Sequence, residues 1–169
     1  LPVEGHHLQS LVAAKITRQA QLAALCGKEA GHLNALAKAV RAGDSGNCEA
    51  TAAGIYWPLC FGKGFRRDRD EPTVNALLNY AYTILRSAAA RAIMLAGLHP
   101  AFGIFHRNSR DSMPLADDLM EPFRPVADML VLRLLAEGKN TISPETKRFL
   151  AGLIHTDMQA DGAARPVAS

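Results

Sequence analysis

Residues 72–97 have the sequence PTVNALLNYAYTILRSAAARAIMLAG, which is the clearest secondary-structure signal in the chain. Its apolar residues recur at the i, i+3, i+4, i+7 spacing that places side chains on one face of an α-helix. They are Leu77, Tyr80, Ala81, Ile84, Leu85, Ala88 and Ala92. Pro72 suits a first helical turn, and Gly97 is a typical C-terminal stop. The stretch therefore predicts one long amphipathic helix, and its run of alanines at 88–90 predicts a close crossing with another helix.

The segments on both sides of this helix are also predicted to be helical. Apolar spacing and stop signals place five further helices at residues 8–25, 31–40, 48–57, 115–137 and 143–155. Pro122 and Pro125 are expected to kink the helix at 115–137 or to shift its start. No strand pattern of period two is evident. The predicted fold class is therefore all-α, with about six helices.

Length and composition exclude several classes of protein. The chain has 169 residues, of which 49% are hydrophobic and 21% charged, and these proportions exclude a disordered chain. No apolar run approaches the roughly 18–20 residues that are needed to span a membrane. Cys26, Cys48 and Cys60 form no CxxC pair, which fits a reducing compartment better than a secreted disulfide framework. We therefore expect a cytoplasmic protein with no membrane partner.

The net charge of +3 is unevenly distributed along the chain. Residues 1–59 carry +1, residues 60–112 carry +4 and residues 113–169 carry −2. A basic segment beside an acidic one suits a metal-dependent enzyme that acts on a polyanion. The same distribution is typical of ordinary solvated surfaces, and charge alone favours that simpler interpretation.

Most motifs that carry chemistry are missing from the sequence. It contains no GxxxxGK[ST], HExxH, zinc-type CxxC or GxSxG pattern. The acidic sequence 117–121, DDLME, is more informative, because Asp118 and Glu121 are three residues apart and share one face of a helix. Two such carboxylates bind a cation, belong to an ion-pair network or complement the dipole of the helix. The sequence spacing leaves these alternatives open.

Glu49 and His106 each have a structural and a functional interpretation. Glu49 lies in an otherwise small and apolar predicted helix, where a carboxylate can interact with the free amides of the first turn. A lone histidine such as His106, at the end of an apolar run, is more often a structural residue than a ligand. Together with Asp118 and Glu121, these residues would make an oxygen-rich site suited to Mn²⁺ or Mg²⁺.

Six blocks of sequence, in the same order, resemble the helical C-terminal domain of CRISPR-associated protein one. The blocks are EATAAGIYW (49–57), FRRD (65–68), NALLNYAY (75–82), GLHP (97–100), GIFHRN (103–108) and LADDLMEPFRP (115–125). This family is the integrase of CRISPR spacer acquisition, and the chain is most similar to the versions found with type II systems. The resemblance is dense over residues 49–128 and thinner on either side.

The resemblance implies a divalent metal site and a reaction on DNA. By motif match, Glu49, His106 and Glu121 are the catalytic metal ligands, and Asp118 is a further acidic ligand of Mg²⁺ or Mn²⁺. The implied activity is that of a DNA endonuclease and integrase, which joins the 3′-hydroxyl of incoming DNA to a CRISPR repeat by transesterification. The residues expected to hold the DNA backbone are Arg66, Arg67, Arg107 and Arg110. The implied partners are double-stranded DNA (prespacer and repeat), CRISPR-associated protein two and, in the full-length protein, a second copy of the chain.

The resemblance also implies a division of the chain. The family has an N-terminal β-rich domain, which we expect to be absent here. Residues 1–10 are then a linker, residues 11–156 the helical catalytic domain and residues 157–169 a disordered tail. The junction Ser10-Leu11 is a candidate for a deletion or omitted stretch, because family members usually carry more residues there. Two alternatives are a non-catalytic DNA-binding or assembly module, and a generic helical bundle in which Asp118 and Glu121 only cap a helix.

Overall fold

The structure of the protein is a computed structural model that describes residues 2–99, 101, 113–155, 157–160 and 163–166. Seven α-helices lie in this part of the chain: α1 (Pro2–Leu25), α2 (Gly31–Ala39), α3 (Cys48–Phe61), α4 (Val74–Leu95), α5 (Pro114–Met120), α6 (Arg124–Ala136) and α7 (Pro144–Ala151). Single 3-10 turns follow α2, α5 and α7, at Ala42–Asp44, Glu121–Phe123 and Gly152–His155. The all-α prediction is therefore confirmed for residues 2–155 as far as they are described. Within the described ranges, no helix is both long enough and apolar enough to cross a membrane.

The long central helix ends where the sequence predicts. Gly97 has a φ of +74°, a conformation that glycine adopts without strain, and the Leu98 N–H donates to the Ile93 carbonyl at 3.0 Å. The helix begins at Val74, two residues after Pro72, because the Glu71 carboxylate accepts a hydrogen bond from the Thr73 N–H at 3.1 Å. The predicted close crossing is confirmed as well, since the buried Ala90 packs in one cluster with residues of α5.

The helix predicted at 115–137 is divided into α5 and α6 by the 3-10 turn Glu121–Phe123. Pro122 lies inside this turn and Pro125 lies in the first turn of α6. Neither proline has an N–H to donate to the preceding helical turn. The predicted helix is therefore interrupted at Glu121–Phe123, and α6 starts at Arg124, one residue before Pro125.

Two helices are longer than the sequence analysis predicts. α1 begins at Pro2, so residues 2–10, which we assigned to a linker, are helical. Leu8 packs against the same core cluster as Val12 and Ile16, and this contact explains why the helix extends towards the N-terminus. α3 continues past Pro58 to Phe61, because Gly54, whose carbonyl loses its helical donor at Pro58, is exposed and open to water.

Two short strands lie among the described residues near the end of the chain. Strands β1 (Asp157–Ala160) and β2 (Ala163–Pro166) pair in antiparallel register, with Ala160 opposite Ala163. The sequence between them is Asp-Gly, the residue pair that most strongly favours a two-residue hairpin connection. The sequence shows no period-two pattern here, and these two four-residue strands are a local addition to the all-α fold.

The core consists of two main clusters of buried side chains. One is built from α1, α2 and α3 around Ile16, Leu33 and Tyr56, and the other from α4, α6 and α7 around Leu78 and Leu134. The partly buried aromatic residues at the end of α3 pack against both clusters. α3 is thus the element through which the two halves of the core meet.

Candidate functional site

Three of the four predicted metal ligands line one cleft. The cleft has a volume of about 180 Å³ and lies between α1, the start of α3 and the end of α5. Its lining residues are Leu8, Leu11, Val12, Lys15, Glu49, Asp118 and Glu121. Residues that are far apart in the sequence are therefore neighbours in the fold, which sequence spacing alone could not establish.

Lys15 connects the two glutamates across this cleft. Its Nζ lies 2.6 Å from Glu49 Oε1 and 2.7 Å from Glu121 Oε2. Only 14% of the Lys15 side chain is exposed, compared with 43% for Glu49 and 17% for Glu121. A positive charge from α1 therefore lies between two carboxylates that would otherwise repel each other.

Glu121 has a second cationic neighbour, on the next helix. Arg124 Nη2 lies 2.8 Å from Glu121 Oε1. Glu121 Oε2 is buried, and its contact with Lys15 lacks the alignment of a hydrogen bond, so this atom has no hydrogen-bond partner among the described residues. A buried carboxylate oxygen in this state retains the capacity to bind a cation.

The start of α3 directs Glu49 towards the cleft. Asp44 accepts hydrogen bonds from the N–H groups of Cys48 and Glu49, at 2.9 Å and 3.0 Å. Because Asp44 already satisfies these amides, the Glu49 carboxylate is not needed as their cap and pairs with Lys15 instead. Glu49 also lies in the first turn of α3, so its structural interpretation, a carboxylate near the amides of a helix start, stays a prediction beside the ion pair with Lys15.

The two adjacent aspartates of α5 have different environments. Asp117 forms a two-pronged ion pair with Arg86 of α4, with N–O distances of 2.7 Å and 2.8 Å. Asp118 is 1% exposed and lines the cleft. Asp118 thus lines the same cleft as Glu49 and Glu121, whereas Asp117 pairs with Arg86.

The buried carboxyl group of Asp128 links three helices by hydrogen bonds. Asp128 of α6 accepts hydrogen bonds from the Tyr56 hydroxyl of α3 at 2.7 Å and from the Tyr82 hydroxyl of α4 at 2.6 Å. Burial raises the pKa of Asp128 from its ordinary value of 3.8 to about 6, although both hydrogen bonds oppose that shift. Burial also raises the pKa of both tyrosines well above 10, so they remain hydrogen-bond donors.

This buried group is connected to the cleft through Arg124. The Arg124 guanidinium lies over the Tyr82 ring, 5.0 Å from its centroid, while it also pairs with Glu121. A cation over an aromatic face is attracted by the ring, and the contact restricts the position of the guanidinium. Asp128 and Tyr82 therefore help to fix Glu121 without touching it.

The four predicted DNA-contacting arginines do not form one described surface. Arg66 is exposed in the loop between α3 and α4. Arg67 donates to Asn75 Oδ1 at 2.8 Å and to Asn79 Oδ1 at 2.6 Å, and burial lowers its pKa. Arg67 is therefore engaged within the protein. Arg107 and Arg110, together with the predicted ligand His106, lie outside the described residues.

The acidic residues of the cleft fit a divalent cation in their chemistry. Carboxylate oxygens are the ligands that Mg²⁺ and Mn²⁺ prefer, and Oε2 of Glu121, which has no hydrogen-bond partner among the described residues, faces Lys15 in the cleft. Among the described residues, no three His, Cys, Asp or Glu side chains converge closely enough to hold a metal ion by themselves. The predicted imidazole ligand, His106, lies outside the described residues.

Sequence reasoning missed two residues of this site. Lys15 follows Leu8, Leu11 and Val12 at the spacing of one helical face, and a charged residue in such an apolar stripe indicates a buried partner. Asp44 precedes α3 at a distance that permits capping, yet the turn around it gave no reason to select that residue. The position of Lys15 in this apolar stripe could therefore have been recognised from the sequence.

Comparison with known proteins shows the family of the chain. Residues 6–150 match the family model described as CRISPR associated protein Cas1. The chain is 42% identical over 158 residues to the CRISPR-associated endonuclease Cas1 of Neisseria meningitidis serogroup C (strain 8013), an alignment that covers 91% of this chain and 52% of that protein. It is 45% identical over 92 residues to the CRISPR-associated endonuclease Cas1 1 of Thermus thermophilus, which covers 54% of this chain and 29% of that protein.

The fold has a counterpart among solved structures. A casposase bound to integration product superposes with a TM-score of 0.72 at 19% identity, over 97% of this chain and 56% of that chain. The chain spans about half the length of the Neisseria relative and of the casposase. The family match covers most of the chain and includes Glu49, Asp118 and Glu121. This chain belongs to the Cas1 family of CRISPR-associated proteins.

Proposed function

We propose that this chain is the helical catalytic part of a metal-dependent DNA endonuclease and integrase, which inserts new spacers into a CRISPR array by transesterification in the prokaryotic cytoplasm. The observation that carries the proposal is that Glu49, Asp118 and Glu121 line one cleft of a chain that belongs to the Cas1 family. The endonuclease name of its relatives and the casposase bound to integration product support a reaction on DNA.

The residues that would hold the metal are Glu49, Asp118 and Glu121, with His106 as the expected fourth ligand. When bound, a divalent cation stabilises charge on phosphate oxygens and favours deprotonation of a hydroxyl nucleophile. The chain itself positions the carboxylates: Asp44 orients the helix that carries Glu49, and Arg124 restrains Glu121. The apolar side chains of α1 shield one side of the cleft from water.

DNA and protein partners follow from the proposed reaction. Double-stranded DNA, both prespacer and repeat, is the proposed substrate, and the exposed Arg66 is available to its phosphates. Arg107 and Arg110 are expected to add further phosphate contacts. CRISPR-associated protein two and a second copy of the full-length protein are the expected protein partners.

Cleavage and joining of branched DNA test the proposal. We expect Mn²⁺-dependent products from the wild-type chain, and a rate that is lower by roughly 100-fold or more in Glu121→Gln and His106→Ala, because a group that stabilises the transition state is lost. Glu145→Gln is the matched control, since Glu145 is exposed on α7 and pairs with Lys139 outside the cleft. Equal rates in wild type and both site variants would contradict the catalytic assignment. Salt-sensitive DNA binding that needs no metal and gives no products would instead favour a non-catalytic DNA-binding module.

A further inference from the structure

We propose that Lys15 is a built-in counter-ion, which competes with a divalent cation for Glu49 and Glu121. The inference rests on the proposed metal-dependent function. It concerns the balance of positive and negative charge at the proposed metal site. It assigns a role to a residue of α1, a helix that contributes none of the predicted ligands.

The position of the Lys15 ammonium group is the first step. Its Nζ is within 2.7 Å of one oxygen of each glutamate, which is the distance of a charge-assisted contact. Divalent cations bind carboxylate oxygens at about 2.0–2.6 Å. A cation that bound these same two oxygens would need the position that the ammonium group holds, so both cannot occupy it at once.

The charge of the cleft is the second step. Lys15 is the one cationic residue among the described residues that line the cleft, where it faces Glu49, Asp118 and Glu121. The Lys15 side chain is only 14% exposed, so water screens its charge less than it would at an open surface. Loss of this charge removes the cation that Glu49 and Glu121 share and leaves Glu121 with Arg124 as its ion-pair partner among the described residues. That loss should destabilise the metal-free protein and increase its attraction for an added cation.

The location of Lys15 on α1 is the third step. Leu8, Leu11 and Val12 lie on the same helical face and line the cleft beside it. Their packing holds the base of the lysine side chain, while the flexible end of that side chain can leave the carboxylates without movement of the helix. Lys15 therefore supports the carboxylate pair until a cation displaces it.

Isothermal titration with Mn²⁺ alone tests this inference on the whole chain. Lys15→Met keeps a long unbranched side chain but removes the charge, and we expect it to bind Mn²⁺ about tenfold more tightly than wild type. Its thermal unfolding temperature in a metal chelator should be lower than that of wild type. Lys38→Met is the matched control, because Lys38 is exposed on α2 and changes the net charge equally. Lys15→Gln provides a second neutral variant if Lys15→Met does not fold.

The possible outcomes separate the inference from the function on which it rests. Equal or weaker Mn²⁺ binding by folded Lys15→Met or Lys15→Gln, with binding abolished in Glu121→Gln, would overturn the role of Lys15 and retain the metal site. Tighter binding in Lys38→Met of the same size would overturn it too, because net charge alone would then account for the effect. Absence of Mn²⁺ binding in wild type and in every variant would overturn the proposed metal dependence and the inference together.

Discussion

Asp128 shows how a single buried residue can determine the response of this protein to pH. Its carboxyl group is 1% exposed and accepts hydrogen bonds from two tyrosine hydroxyls. Burial raises its pKa to about 6, so the folded protein holds this proton more tightly than the unfolded chain does. The stabilising contribution of the group is complete below its unfolded pKa of about 3.8 and is lost as the pH rises through about 6.

Asp128→Asn should remove this pH dependence, because an amide does not titrate in that range. We expect the free energy of unfolding of wild type, minus that of Asp128→Asn, to fall by on the order of 3 kcal/mol between about pH 4 and pH 7.5. Urea unfolding at several pH values measures both proteins, and the subtraction removes the contributions of the other carboxyl groups. A difference that stays constant across this range would show that Asp128 does not titrate with a raised pKa.

At the residue scale, the sequence selects acidic residues that line one cleft, but it does not predict what surrounds them. Glu49, Asp118 and Glu121 were identified because they lie in blocks of characteristic sequence that resemble one family. Arg67 was assigned to DNA, yet two asparagine side chains and the Tyr82 ring engage it within the fold. Such contacts depend on how α4 packs against the preceding loop, and no local pattern specifies that packing.

At the scale of secondary-structure elements, α3 links the turn that contains Asp44 to the cleft that Glu49 lines. Asp44 binds the first N–H groups of this helix, and the backbone of Asp44 has a φ of +48°, a conformation that glycine tolerates best. The cap therefore determines both the stability of the helix and the direction in which Glu49 leaves it.

Asp44→Gly removes the cap without backbone strain. We expect it to lower the free energy of unfolding by about 1–2 kcal/mol. We also expect it to weaken Mn²⁺ binding roughly tenfold, because the start of α3, which carries the proposed ligand Glu49, becomes less rigid. Ser143→Ala is the matched control: Ser143 caps α7 through the Thr146 N–H at 3.1 Å, outside the cleft. Ser143→Ala should lower the free energy of unfolding by a similar amount and leave the Mn²⁺ affinity unchanged. Unfolding curves and Mn²⁺ titrations of both variants measure the difference, and equal Mn²⁺ affinities would contradict a role for Asp44 at the site.

The helix boundaries differ in how well the sequence predicts them. The end of α4 was predictable because Gly97 has a positive φ that few other residues accept. The start of α1 was not, because the helical conformation of residues 2–10 depends on contacts such as that of Leu8 with the core. The hairpin at 157–166 was missed because its Asp-Gly signal is short and its strands have four residues each.

In the molecule as a whole, the cleft joins two halves of the core. Lys15 and Glu49 belong to helices of one core cluster, whereas Glu121 lies at the turn that leads into α6, a helix of the other. Tyr56 and Asp128 link the same two halves by a buried hydrogen bond. The geometry of the site therefore depends on the relative position of these helices, which secondary-structure prediction does not provide.

The central claim is that Glu49 and Glu121, from opposite sides of this junction, share one divalent cation. Anomalous diffraction from crystals soaked in Mn²⁺ tests it most directly, because the anomalous signal locates the ion itself. We predict a peak in the cleft, about 2.0–2.6 Å from a carboxylate oxygen of each glutamate, with the Lys15 ammonium group displaced from its present position between them. No peak in the cleft at saturating Mn²⁺, with Lys15 still joining the two carboxylates, would contradict the account.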